Sequence, residues 1–158
     1  MDWNDVDVNA IVKFCAEEVE RQQDVPLAVW HMFNAWMEAV TVYENWKPRA
    51  RSQVPGPDFL ILMGHMVRPE KNPRDSFRTC GVRVGGRICP LPNEVPKKID
   101  RWLAYVDEMT PEEAYKEFQL IHPFRDGNGR VGKIIFNWLK GTLDNPQMPP
   151  NFFGCLNP

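Results

Sequence analysis

The twelve residues from His122 to Lys133, HPFRDGNGRVGK, decide how the rest of this chain is read, because they can be parsed in two ways. From Gly127 onward, GNGRVGK has the spacing of a glycine-rich phosphate loop closed by a lysine. Taken whole, the stretch reads as a histidine beside an anion-binding turn. A phosphate loop of the first kind needs a β-strand before it to aim its amides, and a Ser or Thr after its lysine to hold magnesium. Neither is present. The preceding TPEEAYKEFQLI carries a helix-start signature, with Thr110 as N-cap, Pro111 at the first helical position and Glu113 reaching back. Lys133 is followed by Ile134, which has no hydroxyl.

The second parse uses every residue. Pro123 pushes His122 out of helical geometry, so the preceding helix ends there and the imidazole is presented at a turn. Phe124 can anchor that turn in the core. Gly127, Asn128 and Gly129 then open a second helix, GRVGKIIFNWLKG, whose free amides and positive dipole end attract an anion that glycine lets approach closely. Arg130 and Lys133 lie one turn apart on it, and helical side chains lean toward the N-terminus, so both are expected to reach the same anion. Asp126 can supply a carboxylate to Mg²⁺, which favours one or two carboxylates together with phosphate oxygens and water. Each residue has a plainer use alone: Asp126 as an N-cap, the glycines as a turn, His122 as a polar helix end. Their joint order is what favours a base beside an anion site.

Outward from this stretch, the chain reads as helices around one small hairpin. Val8, Ile11, Val12, Cys15 and Val19 recur at helical spacing after the cap candidates Asp5 and Asp7, predicting an N-terminal helix over about 5–22 with Glu17, Glu18 and Glu20 outward. DVPLAVWHMFNAWMEAVTVYENW, from Asp24, is apolar over most of its circumference and predicts a central buried helix with Trp30, Phe33, Trp36, Met37 and Val40 in the core and His31 a satisfied histidine. KPRARSQVPGP is a connection, and DFLILMGHMV a short buried helix. In FRTCGVRVGGRICPLP, β-branched Val82, Val84 and Ile88 flank Gly85-Gly86, a hairpin signal. A stripe of Val95, Ile99, Trp102, Leu103 and Val106 predicts the next helix. The proline-rich tail, 144–158, is expected to wrap the surface or be loosely held. The fold class is therefore all-α with one β-hairpin.

Bulk properties set limits. With 158 residues, 43% hydrophobic and 25% charged, the chain is expected to form a single domain spanning 1–158, its core over about 27–140. A net charge of −2 and a pI near 5.9 give no global attraction to nucleic acid or anionic membrane, so neither is expected as a partner. Acids around the first apolar positions argue against a secretory signal, no apolar run reaches membrane-spanning length, and a cytoplasmic location is expected. Cys15, Cys80, Cys89 and Cys155 have neither the density of a disulfide scaffold nor zinc-site spacing. With a two-residue turn at Gly85-Gly86, Cys89 would face Val82, leaving Cys80 and Cys89 diagonal and unbridged.

HPFRDGNGRVGK closely resembles the signature of the Fic (filamentation induced by cAMP) family, H-P-F-x-[D/E]-G-N-G-R-x-x-R, departing only where Lys133 replaces arginine. FRTCGVRVGGRICPLPNEVP is similar to the family's flap hairpin, and the likeness covers roughly 27–140. The resemblance implies a Fic-type helical domain that moves AMP from ATP onto a Ser, Thr or Tyr hydroxyl of a target protein and releases pyrophosphate. By that likeness His122 would take the hydroxyl proton, a task suited to a pKa near neutrality. Asp126 would hold Mg²⁺. The amides of Gly127 to Gly129, with the Asn128 side chain, would cradle the α-phosphate, and Arg130 would bind the outer phosphates. Lys133 offers a point charge where arginine has a planar fork, implying looser γ-phosphate binding or another nucleotide or diphosphate-linked donor. In the related Doc proteins, which transfer phosphate, lysine replaces the second motif glycine; Gly129 favours nucleotidyl transfer, and a non-catalytic phosphate-binding module is the competing reading. The flap residues Val82, Val84 and Ile88 would align the target by strand addition; the plain alternative is an exposed hairpin with Arg78, Arg83 and Arg87 as solubilising charges. Many Fic proteins are held off by a helix bearing [S/T]-x-x-x-E-[G/N]. Here Glu44-Asn45 comes nearest, but Val40 stands at the hydroxyl position and Thr41 is out of register. No ordinary built-in inhibitor is therefore expected, and control by an antitoxin-like partner is left open.

Overall fold

The computed structural model describes residues 3–46 and 54–153. Among them are six α-helices, α1 (Val8–Arg21), α2 (Leu27–Trp46), α3 (Pro57–Val67), α4 (Val95–Tyr105), α5 (Pro111–Ile121) and α6 (Asn128–Lys140), with a two-stranded antiparallel hairpin, β1 (Arg83–Val84) and β2 (Arg87–Ile88), between α3 and α4. The all-α class with one hairpin holds. Most of the connection KPRARSQ, 47–53, and Cys155 lie outside the described residues.

Local chemistry sets the helix ends. Asp7 caps α1, its carboxylate accepting from Ala10 N at 2.9 Å. Thr110 and Glu113 close the expected reciprocal box on α5: Glu113 N to Thr110 Oγ1 is 3.1 Å and Thr110 N to Glu113 Oε2 is 2.9 Å. The hairpin pairs Arg83 with Ile88 and Val84 with Arg87, and Cys89 N reaches Val82 O at 3.3 Å, the register that a Gly85-Gly86 turn predicts. Cys80 and Cys89 are free thiols.

The central element is α6, not α2. Every residue from Asn128 to Trp138 is buried. Its Trp138 ring packs on Tyr43 of α2 at 4.9 Å and on Phe59 of α3 at 5.2 Å. Close approach of α5 requires Gly132: a Cβ there would stand 2.0 Å from Gln119 Nε2 and 3.0 Å from the Tyr115 ring. Within α2 the buried arc runs through Ala28, Met32, Ala35, Trp36, Ala39 and Val40, whose alanines let neighbouring helices come close. Trp30, expected in the core, falls on the opposite side of the helical wheel and is 56% exposed, its ring edge-on to Phe33. The tail is tied down as far as it is described: Trp36 Nε1 donates to Leu143 O at 2.8 Å, and the buried Asn137 amide pairs with both N and O of Gln147.

One further correction bears on the site. Glu18, expected to face outward, is buried at 1% exposure on the inner face of α1 with Ile11, Phe14, Cys15 and Val19. A carboxylate buried there requires a partner, and it has one.

Candidate active site

The junction of α5 and α6 builds the site. His122 ends α5 in the left-handed conformation, φ 52° and ψ 63°, its N–H still bonded to Phe118 O at 3.0 Å. For a residue with a Cβ this geometry costs about 1–3 kcal/mol, so the surroundings must impose it. Phe124 is one anchor, its ring packed between Phe77 and Phe118 and buried to 1%. Asn128 is another: Oδ1 accepts from Phe124 N at 2.8 Å while Nδ2 donates to Phe124 O at 2.9 Å. The Asn128 side chain, expected to touch phosphate, thus also folds the turn with both of its polar atoms. Gly127 caps α6 at φ +80°, where a Cβ would also sit 2.8 Å from Val67. The first intrahelical bond, Val131 N to Gly127 O at 3.0 Å, leaves the amides of Asn128, Gly129 and Arg130 without partners in the helix.

These residues open onto a cleft of about 670 Å³, within the range of small-ligand sites. His122, Asp126, Gly127, Asn128, Gly129 and Lys133 all line it, as do Glu18, Arg21 and Gln22 of α1 and Met148, Pro149 and Asn151 of the tail. Six of the seven motif residues singled out in the sequence thus converge. Arg130 does not line the cleft: it is 2% exposed, and its Nη2 lies 2.5 Å from Asp24 Oδ2. Of the flap residues, Val82 and Val84 are half-buried and Ile88 is 67% exposed; none lines this cleft.

Burial pushes the His122 pKa down to about 4; the Gln119 carbonyl opposes that shift, the charges of Arg87 and Arg78 add to it, and Asp126 opposes it. The expected near-neutral value is thus corrected downward, and the imidazole is neutral at pH 7. Its Nδ1 lies 3.4 Å from Gln119 O, a long hydrogen bond that selects the Nδ1–H tautomer and leaves Nε2 as the acceptor. Burial would raise the pKa of Asp126, but hydrogen bonds from Lys71 and the Gly127 amide, with the charges of Lys71 and Arg68, outweigh it and hold the carboxylate below its ordinary value. Asp126 Oδ2 is 2.9 Å from Lys71 Nζ and 3.1 Å from Arg68 Nε. One ionised carboxylate on a cleft of this size fits the ligand needs of Mg²⁺, which takes one or two protein carboxylates and completes its shell with phosphate oxygens and water. Among the described residues no group of three or more His, Cys, Asp or Glu could hold a metal by protein ligands alone.

The two motif cations of α6, Arg130 and Lys133, are already paired. Lys133 Nζ lies 2.6 Å from Glu18 Oε1, with side chains 2% and 1% exposed, and burial holds the ammonium below its ordinary pKa against the pull of Glu18. Glu18 also accepts from Arg21 at 2.5 Å and Gln22 at 2.7 Å. Asp24 bridges Arg130 and Arg68; its own burial works against it, but the two guanidiniums hold its carboxylate far below the usual range. An acid of this chain does therefore stand against the second cation, contrary to the expectation drawn from Glu44-Asn45. The motif pattern misses it because Phe14 and Val19 flank Glu18 where the pattern has a hydroxyl residue and Gly or Asn. Glu18, Asp24 and Arg68 were invisible as site residues; the one available signal was a glutamate on the apolar stripe of α1.

The Fic/DOC family model matches residues 58–139, and the chain belongs to that family. It is 33% identical over 87 residues to the protein adenylyltransferase Fic of Drosophila erecta, covering 49% of this chain and 17% of the fly protein. The Drosophila persimilis protein of the same name matches equally, with 16% of its length covered. The chain thus spans about a sixth of these curated relatives. Among solved structures, a Fic family protein from Desulfovibrio desulfuricans G20 superposes with a TM-score of 0.55 at 21% identity, over 77% of this chain and 40% of the other. IbpAFic2 covalently tethered to Cdc42 gives 0.59 at 16% identity, over 88% and 48%. At these identities the likeness shows the helical Fic fold. No helix among the described residues is long and apolar enough to cross a membrane.

Proposed function

We propose that this chain is a Fic-type nucleotidyltransferase that moves AMP from ATP onto a Ser, Thr or Tyr hydroxyl of a target protein. The observation that carries the reading is the convergence, on one cleft, of a neutral His122, the amide-rich start of α6 and the ionised Asp126. His122 Nε2 takes the proton as the target oxygen bonds to the α-phosphorus; the bond from that phosphorus to the bridging oxygen breaks, and pyrophosphate leaves. The amides of Asn128 and Gly129 stabilise charge building on the α-phosphate oxygens. Asp126 would hold Mg²⁺, which supplies charge neutralisation on the phosphates. The relatives named protein adenylyltransferase support transfer of an adenylyl group to a protein.

The Glu18–Lys133 pair favours a second element of the reading: in this conformation Glu18 holds off the cation that an outer phosphate would use. A donor without a γ-phosphate, such as a diphosphate-linked head group, would need that cation less.

The test is incubation with ATP labelled at the α- or the γ-phosphate, on wild type and on His122→Ala, with a cell lysate as acceptor. Protein-bound α-label that disappears in the variant is expected. Label from the γ-position, or none with any nucleotide, would refute AMP transfer.

A further inference from the structure

The hairpin and the proposed base meet at one side chain. Arg78, which the sequence offered as a solubilising charge, is 3% exposed, and its guanidinium is committed in three directions. Nε donates to His122 O at 2.7 Å, Nη1 to Cys80 O at 3.0 Å on the segment leading into β1, and Nη2 to Pro90 O at 2.6 Å on the segment following β2. Its own N–H donates to Pro123 O at 3.0 Å. One planar fork thus clamps both stems of the hairpin to the peptide unit that holds His122 left-handed. Lysine could not do this, having a single point of donation in place of a rigid fork. Arg87 of β2 adds a parallel tie, reaching Leu120 O at 3.1 Å and Gln119 O at 3.3 Å, carbonyls of the helix end that carries His122.

We infer that Arg78 is a positioning residue that makes the hairpin and His122 one mechanical unit, so that a target strand docked on the hairpin is held in register with the imidazole that takes its proton. A buried guanidinium facing three carbonyls and no carboxylate is not an ordinary stabilising choice. Its desolvation is unrelieved by an opposite charge, and burial lowers its pKa. The three carbonyls belong to the stem before β1, the stem after β2 and the end of α5; the β1–β2 ladder joins the two stems to each other, and the guanidinium joins both of them to the end of α5.

This inference rests on His122 being the proton acceptor, and the experiment separates the two. Transfer of α-label and ATP affinity are measured on wild type, Arg78→Lys, Arg78→Met and His122→Ala, with hydrogen exchange of residues 80–91 and imidazole NMR of His122. For folded Arg78→Met, ATP affinity within about twofold of wild type is expected, with transfer reduced about 100-fold, the loss typical of a roughly 1 Å misplacement of a reacting group. Exchange at 80–91 should rise, and the His122 ring should show broadened or multiple signals. Arg78→Lys, which keeps the charge, should recover only part of the transfer. Should Arg78→Met fail to fold, the wild-type protein still decides: the Arg78 Nε–H resonance should be strongly protected from solvent exchange, and a freely exchanging Nε–H overturns the clamp. Unchanged transfer and an unchanged His122 signal in folded Arg78→Met also overturn it. Transfer surviving in His122→Ala would instead sink the reading of the base.

Discussion

Replacing Glu18 with glutamine should make the unliganded protein less stable and the nucleotide-bound protein relatively more so. Glu18→Gln keeps the shape of the side chain and removes the charge that faces Lys133 at 2.6 Å and Arg21 at 2.5 Å, in a pair 1% and 2% exposed. Breaking a buried pair by removing one partner costs up to about 3–5 kcal/mol. The cost here should fall toward the low end, because Lys133 lines an open cleft and already has a depressed pKa, so it can reach water or shed its proton. For a chain of this size each kcal/mol lowers Tm by roughly 2–4 °C. The opposite sign applies to binding. An outer phosphate no longer competes with a charge-assisted hydrogen bond of about 1.5–3 kcal/mol, a gain of roughly 10–100-fold in affinity. At saturating nucleotide that gain returns as stability through linkage. Thermal unfolding with and without Mg²⁺–ATP, beside α-label transfer, reads both signs at once. Glu17→Gln is the control, since Glu17 is exposed and pairs only loosely with Lys13 at 3.8 Å. If folded Glu18→Gln gains no larger Tm shift from ATP than wild type, the pair is structural and does not hold off the nucleotide.

Gly132→Val should destabilise by about 2–4 kcal/mol, because its side chain would enter Gln119 and Tyr115 at 2.0 and 3.0 Å and force α5 away from α6; a denaturant midpoint unchanged from wild type would refute the packing argument. Asn128→Ala removes both hydrogen bonds that shape the turn at Phe124, and is expected to cost about 2–4 kcal/mol and to lower transfer chiefly through His122 placement, checked by the imidazole signal of His122. The pH dependence has a definite sign. The His122 pKa of about 4 lies below its ordinary 6.5, so between these values the unfolded chain binds more protons and stability falls as pH drops, this group contributing nothing further above pH 6.5. The depressed Asp126 and Asp24 act in the same direction at lower pH. The acid limb of the transfer rate should accordingly sit near pH 4, and a rate half lost near pH 6.5 would show that the imidazole is more solvated than its burial indicates.

What the sequence disclosed and what it hid divide along a physical line. Helix starts at Asp7 and Thr110, the hairpin register about Gly85-Gly86 and the turn from His122 to Gly129 are set by residues within a few positions of one another, so spacing and side-chain type suffice to read them. Partners across long sequence separations are not of that kind. Glu18 meets Lys133 and Asp24 meets Arg130 only once the tertiary fold brings α1 and the turn after it beside the start of α6, and nothing in either local pattern encodes the meeting. Composition misled at Trp30 for a related reason: hydrophobicity says that a face can be buried, while the small residues Ala28, Ala35 and Ala39 decide which face neighbours can approach. Arg78 sits between these cases. A lone arginine before a hairpin looks like a surface charge, yet it is buried with its guanidinium donating to three backbone carbonyls, those of Cys80, Pro90 and His122, partners that no local pattern around Arg78 announces. A buried polar residue whose partners are all backbone therefore marks where elements are joined rather than where charge is displayed. In this chain that joint falls between the hairpin and the histidine whose positions the proposed chemistry would have to coordinate.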